Sequence, residues 1–388
     1  MASQTAATRP PPWRDVRILR VAFQLGAVVA VCAFLAYLYD NLTANQRALG
    51  IETSFDFLDQ QAGFRIAYSD FSPSGTVLEA LLVGLRNTIT VALLGIVLTL
   101  ILGTLVGIAR LSSNWLVRRA AGTYVEAVRN VPPLLVIVFV NSAFLATLPP
   151  IDDPEHVAGM LLTVREIGIT VPQGDAGFWI YVGLLAAALV GGVALARWRT
   201  TVEERTGRPA RPWLWGGGPV AVVAVGAWFA LDGPIVLSHP EVVGRGIEGG
   251  VAMGLPFVAV LVGLVLYTAT HVAEIVRGSI LAVHKGQTEA ATAIGLSTTQ
   301  RLRYVVLPQA FRIAVPPIIN QFLNLTKNTS LGVAVAYGEA MFVTRTVIGN
   351  GNPAIQSILV VMAMYLVVSL IISLVANLAN RRLRLVER

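Results

Sequence analysis

Apolar and polar positions alternate along this chain in long blocks, not in the short periods of a soluble protein. Eight apolar runs can be drawn, at approximately 18–39, 86–109, 128–148, 178–196, 216–231, 254–276, 311–335 and 355–379. Most approach the ~20 residues that carry a helix across a hydrocarbon core about 30 Å thick. The fifth is the weakest, because Val220 to Leu231 reaches spanning length only with Trp213 to Gly218 included. The pattern predicts an all-α, polytopic membrane bundle of about eight transmembrane helices.

One polar island interrupts it. Lys285 to Pro308 reads KGQTEAATAIGLSTTQRLRYVVLP between two long apolar runs. Ala290, Ala291, Ala293 and Ile294 favour helix, and Gly295 supplies a left-handed stop. Ser297 with Gln300 three residues on is a capping-box signature for a second short helix. Pro308 restrains Leu307 and is expected to close that helix. The result is a bent helical knob on the surface, with a small alanine face that lets a partner approach closely.

Composition agrees with a membrane chain. Of 388 residues, 55% are hydrophobic and 13% charged, with mean hydropathy +0.68. An ordinary soluble protein is charged at roughly a quarter of its positions. The net charge of +7 reports topology here and no affinity for nucleic acid. Drawn with the N-terminus inside, the five inner segments carry 22 of the 29 Lys and Arg. They hold Arg9, Arg14, Arg17 and Arg20; Arg110, Arg118, Arg119 and Arg129; Arg197, Arg199, Arg205, Arg208 and Arg211; Arg277, Lys285, Arg301, Arg303 and Arg312; and Arg381, Arg382, Arg384 and Arg388. The outer loops are acidic, with Asp152, Asp153, Glu155, Glu166, Asp175, Glu241 and Glu248. Both termini are therefore expected in the cytoplasm, with the polar island on the side where ATP is found. The first run follows a Pro-rich, basic start and lacks a small-x-small site after it, so it reads as a retained span and not as a cleaved signal.

Ionisable residues within the runs mark candidate chemistry. Asn320, Asn324 and Lys327 recur at spacings of four and three and share one helix face, with Thr329 and Ser330 just beyond. An ammonium deep in a membrane helix is expensive unless it faces water or a partner. One reading is a polar wall of a translocation path that meets a substrate carboxylate. The other is a clasp between helices, such as Lys327 with Glu339 or a carbonyl. Glu126 with Arg129, and Glu274 with Arg277, repeat an acid–base spacing of three at helix ends near the cytoplasm. Each pair is either part of a gate or a bridge that fastens a helix end. Phe55, Phe57, Leu58 and Phe64 of the first outer loop either lie on the membrane surface or rest against the bundle.

Some chemistry is missing. There are two lysines, Lys285 and Lys327, and neither follows a glycine, so no phosphate-binding P-loop exists. His156, His239, His271 and His284 form no H-x-x-x-H pair, and Cys32 is the single cysteine. No catalytic or metal site is expected on this chain.

The island resembles the EAA loop of ABC importer permeases: EAA, three residues, Gly, nine residues, Ile, one residue, Leu-Pro. Glu289, Ala290, Ala291, Gly295, Leu307 and Pro308 fit every position, with Val305 in the Ile place. Gly286-Gln287, Gln309-Ala310 and LTKNTSL are similar to the polar amino acid uptake branch, and YVEAVRNVPPLL resembles its E-x-x-R-G-T-P-L-L segment with Asn130-Val131 in place of Gly-Thr. The added hairpin at about 149–253, inside a permease domain over 84–388 that follows an N-terminal tail, span and loop over 1–83, resembles the general L-amino acid permeases.

That resemblance implies a type I ABC importer permease in a bacterial inner membrane. It implies a second permease subunit, identical or homologous, a periplasmic amino acid-binding protein and an ATPase dimer docked at the island. ATP and magnesium would then be cofactors of the partner, with none on this chain. The rival class is a secondary transporter driven by an ion gradient, which predicts acidic residues near the midplane. Glu126 and Glu274 lie instead at the cytoplasmic ends of the drawn spans.

Overall fold

The computed structural model describes residues 16–48, 54–207, 209, 211–244 and 246–383. The Pro-rich start with Arg9 and Arg14, and also Arg208, Arg384 and Arg388 of the charge pattern, lie outside these residues. The helices in chain order are α1 (Val16–Ala48), α2 (Val77–Ala109), α3 (Trp115–Arg129), α4 (Pro133–Phe139), α5 (Ala176–Thr206), α6 (Pro212–Ala230), α7 (Leu255–Leu281), α8 (Lys285–Ala293), α9 (Thr298–Arg301), α10 (Leu307–Asn328), α11 (Ala340–Gly349) and α12 (Ala354–Leu383). Among the described residues, six are long and apolar enough to cross a membrane, and two bent pairs raise the number to as many as eight. The third and seventh expected runs each supply one limb of a bent pair. Trp115–Arg129 meets Pro133–Thr147 at 106°, and Thr298–Val335 meets Ala340–Gly349 at 46°.

Small residues decide how the bundle closes. Gly84, Thr88, Ala92, Gly95, Thr99, Gly103 and Gly107 form the buried stripe of α2, at steps of three and four that keep them on one face. Lipid tails are as apolar as side chains, so close backbone approach has to drive helix association in place of the hydrophobic effect. A Cβ at Gly103 would lie 2.6 Å from the Cβ of Val272, and one at Gly107 would lie 2.8 Å from the carbonyl oxygen of Ala273. The α2–α7 pair built this way is the centre of the molecule, and α10 packs on both helices.

One end of the bundle is covered from two directions. Phe57, Ala62 and Ile66 pack on Val77, Leu81, Val343 and Val347, so the segment between α1 and α2 rests against the bundle. Phe55 stays exposed. The segments between α4 and α5 and between α6 and α7 form strands that the sequence pattern did not reveal: β1 (Glu155–Val157), β2 (Met160–Leu162), β3 (Glu166–Ile169), β4 (Val171–Pro172), β5 (Leu237–Ser238), β6 (Glu241–Val243), β7 (Gly246–Glu248) and β8 (Val251–Gly254). They pair as an antiparallel sheet β1-β2-β3-β8 and as the ladders β4-β5 and β6-β7. Runs of two to four residues are too short to show a period of two.

The sheet is tied into the bundle. Ile167 and Ile169 pack with Val140, Leu145 and Leu255 at the ends of α4 and α7. Tyr68 donates to the Arg165 carbonyl at 3.1 Å, and burial beside the Glu166 carboxylate pushes its hydroxyl above the ordinary tyrosine range. Helices α5 and α6 pack chiefly on each other, with Gly192 meeting the backbone of Gly216.

Candidate functional site

The polar island folds as the knob its residues predict. His284 caps α8, its Nδ1 accepting from the Gly286 amide at 3.1 Å. At the other end Gly295 has φ +82. Its N–H donates to the Thr292 carbonyl at 3.0 Å, and that of Leu296 donates to Ala291 at 3.1 Å. These two bonds are the Schellman closure of a helix. The expected capping box opens α9, with Ser297 N–H to Gln300 Oε1 at 2.9 Å and the Gln300 N–H to Ser297 Oγ at 3.4 Å. Arg301 then clamps the knob by donating to Thr292 Oγ1 at 2.9 Å.

Two expectations for this stretch need correction. Pro308 does not close a helix. It stands in the first turn of α10, where its missing N–H costs nothing. The chain runs on from α9 through a π-turn over Leu302–Val306, and this wider turn leaves room for the ring. Leu307 and Pro308 therefore line a cleft with Leu100 and Ile108 of α2 and stand apart from the knob's tip. Ala291 is also turned inward and buried. Glu289, Ala290, Ala293 and Ile294 form the outward face, with Ile294 77% exposed.

A charge node lies behind the knob. Glu274 on α7 receives Arg277 at 2.6 Å on Oε1 and Arg110, from the end of α2, on Oε2. Arg129 of α3 stands 4.0 Å from that second oxygen. The Glu274–Arg277 pair thus forms. Glu126 forms no ion pair with Arg129 or another described residue; its carbonyl accepts from Asn130 Nδ2 at 2.7 Å. Glu126 is exposed, and an exposed pair at this spacing gains little. Arg129 instead turns to the carboxylate where three helix ends converge. Arg110 was missed in the sequence, because its partner lies 164 positions away. Neither residue's spacing to its neighbours could reveal it.

Asn320, Asn324 and Lys327 lie on one exposed face of α10. Lys327 makes no ion pair with another described residue, so the clasp with Glu339 does not exist. Glu339 is fully buried and caps α11, accepting from Met341 and Phe342 N–H at 2.9 and 2.8 Å and from the Tyr365 hydroxyl at 2.5 Å. Thr329, a candidate because it follows Lys327, lies off the exposed face. It is buried and donates to the Thr326 carbonyl at 2.8 Å. Ser330 donates to the Lys327 carbonyl at 2.8 Å. Beyond α10 the chain departs from α-helical geometry over Thr329–Val335, and a left-handed Ala336 at φ +57 turns it toward α11. The turn is held from α2. Asn87 Nδ2 donates to Gly338 at 2.7 Å, the Tyr337 hydroxyl to the Asn87 carbonyl at 3.0 Å, and the Ala340 N–H to Thr88 Oγ1 at 3.2 Å. His271 packs edge-on against Tyr267, ring centres 4.9 Å apart.

This arrangement holds a polar face on α10, a turn tied to α2 beyond it and the α8–α9 knob before it. Residues 212–385 match the family described as binding-protein-dependent transport system inner membrane component. The chain is 37% identical over 375 residues to the putative amino-acid ABC transporter permease protein YhdX of Escherichia coli, with 94% of each chain covered. It is 37% identical over 379 residues to the general L-amino acid transport system permease protein AapQ of Rhizobium johnstonii, covering 96% of this chain and 94% of the other. A third relative is the glutamate/glutamine/aspartate/asparagine transport system permease protein BztB of Rhodobacter capsulatus, 35% identical over 415 residues and 96% of each chain. Coverage of this extent takes in α5 and α6 as well as the other helices. With such identity sustained over nearly the whole of both chains, this chain belongs to the amino-acid ABC transporter permeases.

Proposed function

We propose that this transport subunit conducts L-amino acids from the periplasm to the cytoplasm of a bacterial inner membrane, driven by ATP that a separate chain hydrolyses. The observation that carries this reading is the near-complete alignment with permeases named for amino-acid and general L-amino acid transport. The positive-inside pattern supports both termini and the α8–α9 knob on the cytoplasmic side. The permease domain is taken as 84–388 with its hairpin inserted at about 149–253.

In this reading the outward face of α8, with Glu289, Ala290 and Ile294, docks on an ATPase dimer. A second permease subunit and a periplasmic amino acid-binding protein complete the importer. ATP and magnesium bind the ATPase. Closure of the ATPase pushes on the knob, and the push has a short route into the membrane, because α9 continues through the π-turn into α10. Lys327 lies 20 residues beyond the first residue of α10, about 30 Å along the axis at the 1.5 Å rise of a helix. Its ammonium, with Asn320 and Asn324 below it, offers donors to a substrate carboxylate as the pathway reorients. ATP and the loaded receptor act by favouring one orientation of the pathway over the other.

The test is uptake of a panel of radiolabelled L-amino acids into vesicles that hold the complete complex. Uptake that needs internal ATP and the receptor, and survives ionophores, is the expected result. Uptake lost with ionophores and indifferent to ATP would overturn the reading in favour of a gradient-driven carrier.

A further inference from the structure

We propose that the cavity between the end of α2 and the start of α3 binds the phosphate of an anionic phospholipid headgroup. The cavity holds about 370 Å³ and is walled by Arg110, Trp115, Arg118, Arg119, Glu126 and Arg277. Its charge is unbalanced. With Arg129, five arginines gather around two carboxylates, Glu126 and Glu274. Glu274 is already shared by Arg110, Arg277 and Arg129. Arg118 donates to the Ser112 carbonyl at 2.8 Å, which holds the guanidinium in place without neutralising it. Arg119 is exposed and pairs with no carboxylate among the described residues. Guanidinium forks gathered around one cavity suit the oxygens of a phosphate.

The surroundings select a lipid. Helix α3 turns 106° away from the segment that follows it, so it runs along the membrane plane if that segment crosses. Trp115 and Leu116 are each 66% exposed beside the arginines, and Leu105 and Ile108 on the last turns of α2 are 62% and 52% exposed. A tryptophan next to arginines at the end of a spanning helix is the composition of a headgroup-level anchor. A free anion would satisfy the arginines alone and make no use of the apolar side chains beside them. A lipid satisfies both, its phosphate in the cavity and its acyl chains along α2. The proposal rests on the orientation given above, which puts this end of α2 in the inner leaflet, where anionic lipids attract basic clusters.

The intact complex, freed of lipid and without ATP or amino acid, is titrated with phosphatidylglycerol or phosphatidylcholine, and bound lipid is counted by native mass spectrometry. Wild type is expected to prefer phosphatidylglycerol. R118A/R119A should weaken that binding by on the order of thirty-fold and leave phosphatidylcholine binding unchanged, while R118K/R119K keeps most of it. Inorganic phosphate should not displace the lipid. Equal binding of the two lipids, or undiminished phosphatidylglycerol binding in R118A/R119A, would overturn the proposal. Displacement by inorganic phosphate would overturn it in favour of a free-anion site. Loss of the ATPase from R118A/R119A with lipid binding intact would overturn it in favour of a protein occupant. Lipid binding is read without transport, so its failure and a failure of the import reading give separate results.

Discussion

Arg110, one residue past the end of α2, and Glu274, on α7, form an ion pair across 164 positions of sequence. The same carboxylate takes Arg277 at 2.6 Å and lies 4.0 Å from Arg129. One acid therefore ties the ends of three helices just before the chain enters the knob. Glu274→Gln keeps the shape and removes the charge, leaving the arginines to repel one another. The node is 30% exposed on the acid side, so solvent screens part of the effect. A loss of about 1–3 kcal/mol is expected, seen as a lower Tm in tryptophan-monitored unfolding. An unchanged Tm would show that the node does not hold these ends together.

Glu339 and Tyr365 carry a second stability prediction. Glu339→Ala removes the cap of α11 and strands two backbone N–H groups and a hydroxyl in the core, at about 2–4 kcal/mol. Tyr365→Phe removes one of those bonds and should cost about 1–2 kcal/mol. The ordering of the two Tm values checks the assignment. A Glu339→Ala variant no less stable than Tyr365→Phe would argue against the cap.

Lys327 is exposed on the α10 face and contributes no ion pair with another described residue, so its removal should spare the fold. Lys327→Ala is expected to lower uptake several-fold, with Tm and ATPase assembly as in wild type. Radiolabelled uptake beside pull-down of the ATPase makes the check. Full uptake would remove the lysine from the pathway.

Gly295 has φ +82, and beyond its chain neighbours nothing lies within 4 Å of where a Cβ would stand. Strain at this position is therefore in the backbone and not in a clash. Gly295→Asp should distort the turn by about 1 kcal/mol, too little to prevent membrane insertion. It should nevertheless abolish coupled uptake by moving α9 relative to α8. ATP-driven uptake at the wild-type rate would refute a coupling role for this turn.

How far the sequence could be read depended on the range of each interaction. Gly295, the Ser297–Gln300 box and the eight apolar runs are written in residues within a turn or a span of one another, and local reading found them. Pro308 misled because the usual restriction before proline ignores a π-turn that absorbs the ring. Thr329 joins the candidates only as a near neighbour of Lys327 in sequence, yet the chain leaves α-helical geometry at that residue and its side chain is buried. Arg110, Tyr337 and Tyr365 act through partners distant in sequence, where spacing has no information. The strands of the insertion are each shorter than the window in which alternation can be recognised.

The most direct test of the central claim is proximity. A photo-crosslinking residue at Ile294, the most exposed apolar side chain of the knob, is compared with one at Val157 on the edge strand of the insertion, which is 42% exposed. In the assembled complex the account predicts that position 294 crosslinks to the ATPase and position 157 does not. An intact complex in which position 294 fails to reach the ATPase, or position 157 does reach it, would contradict the account.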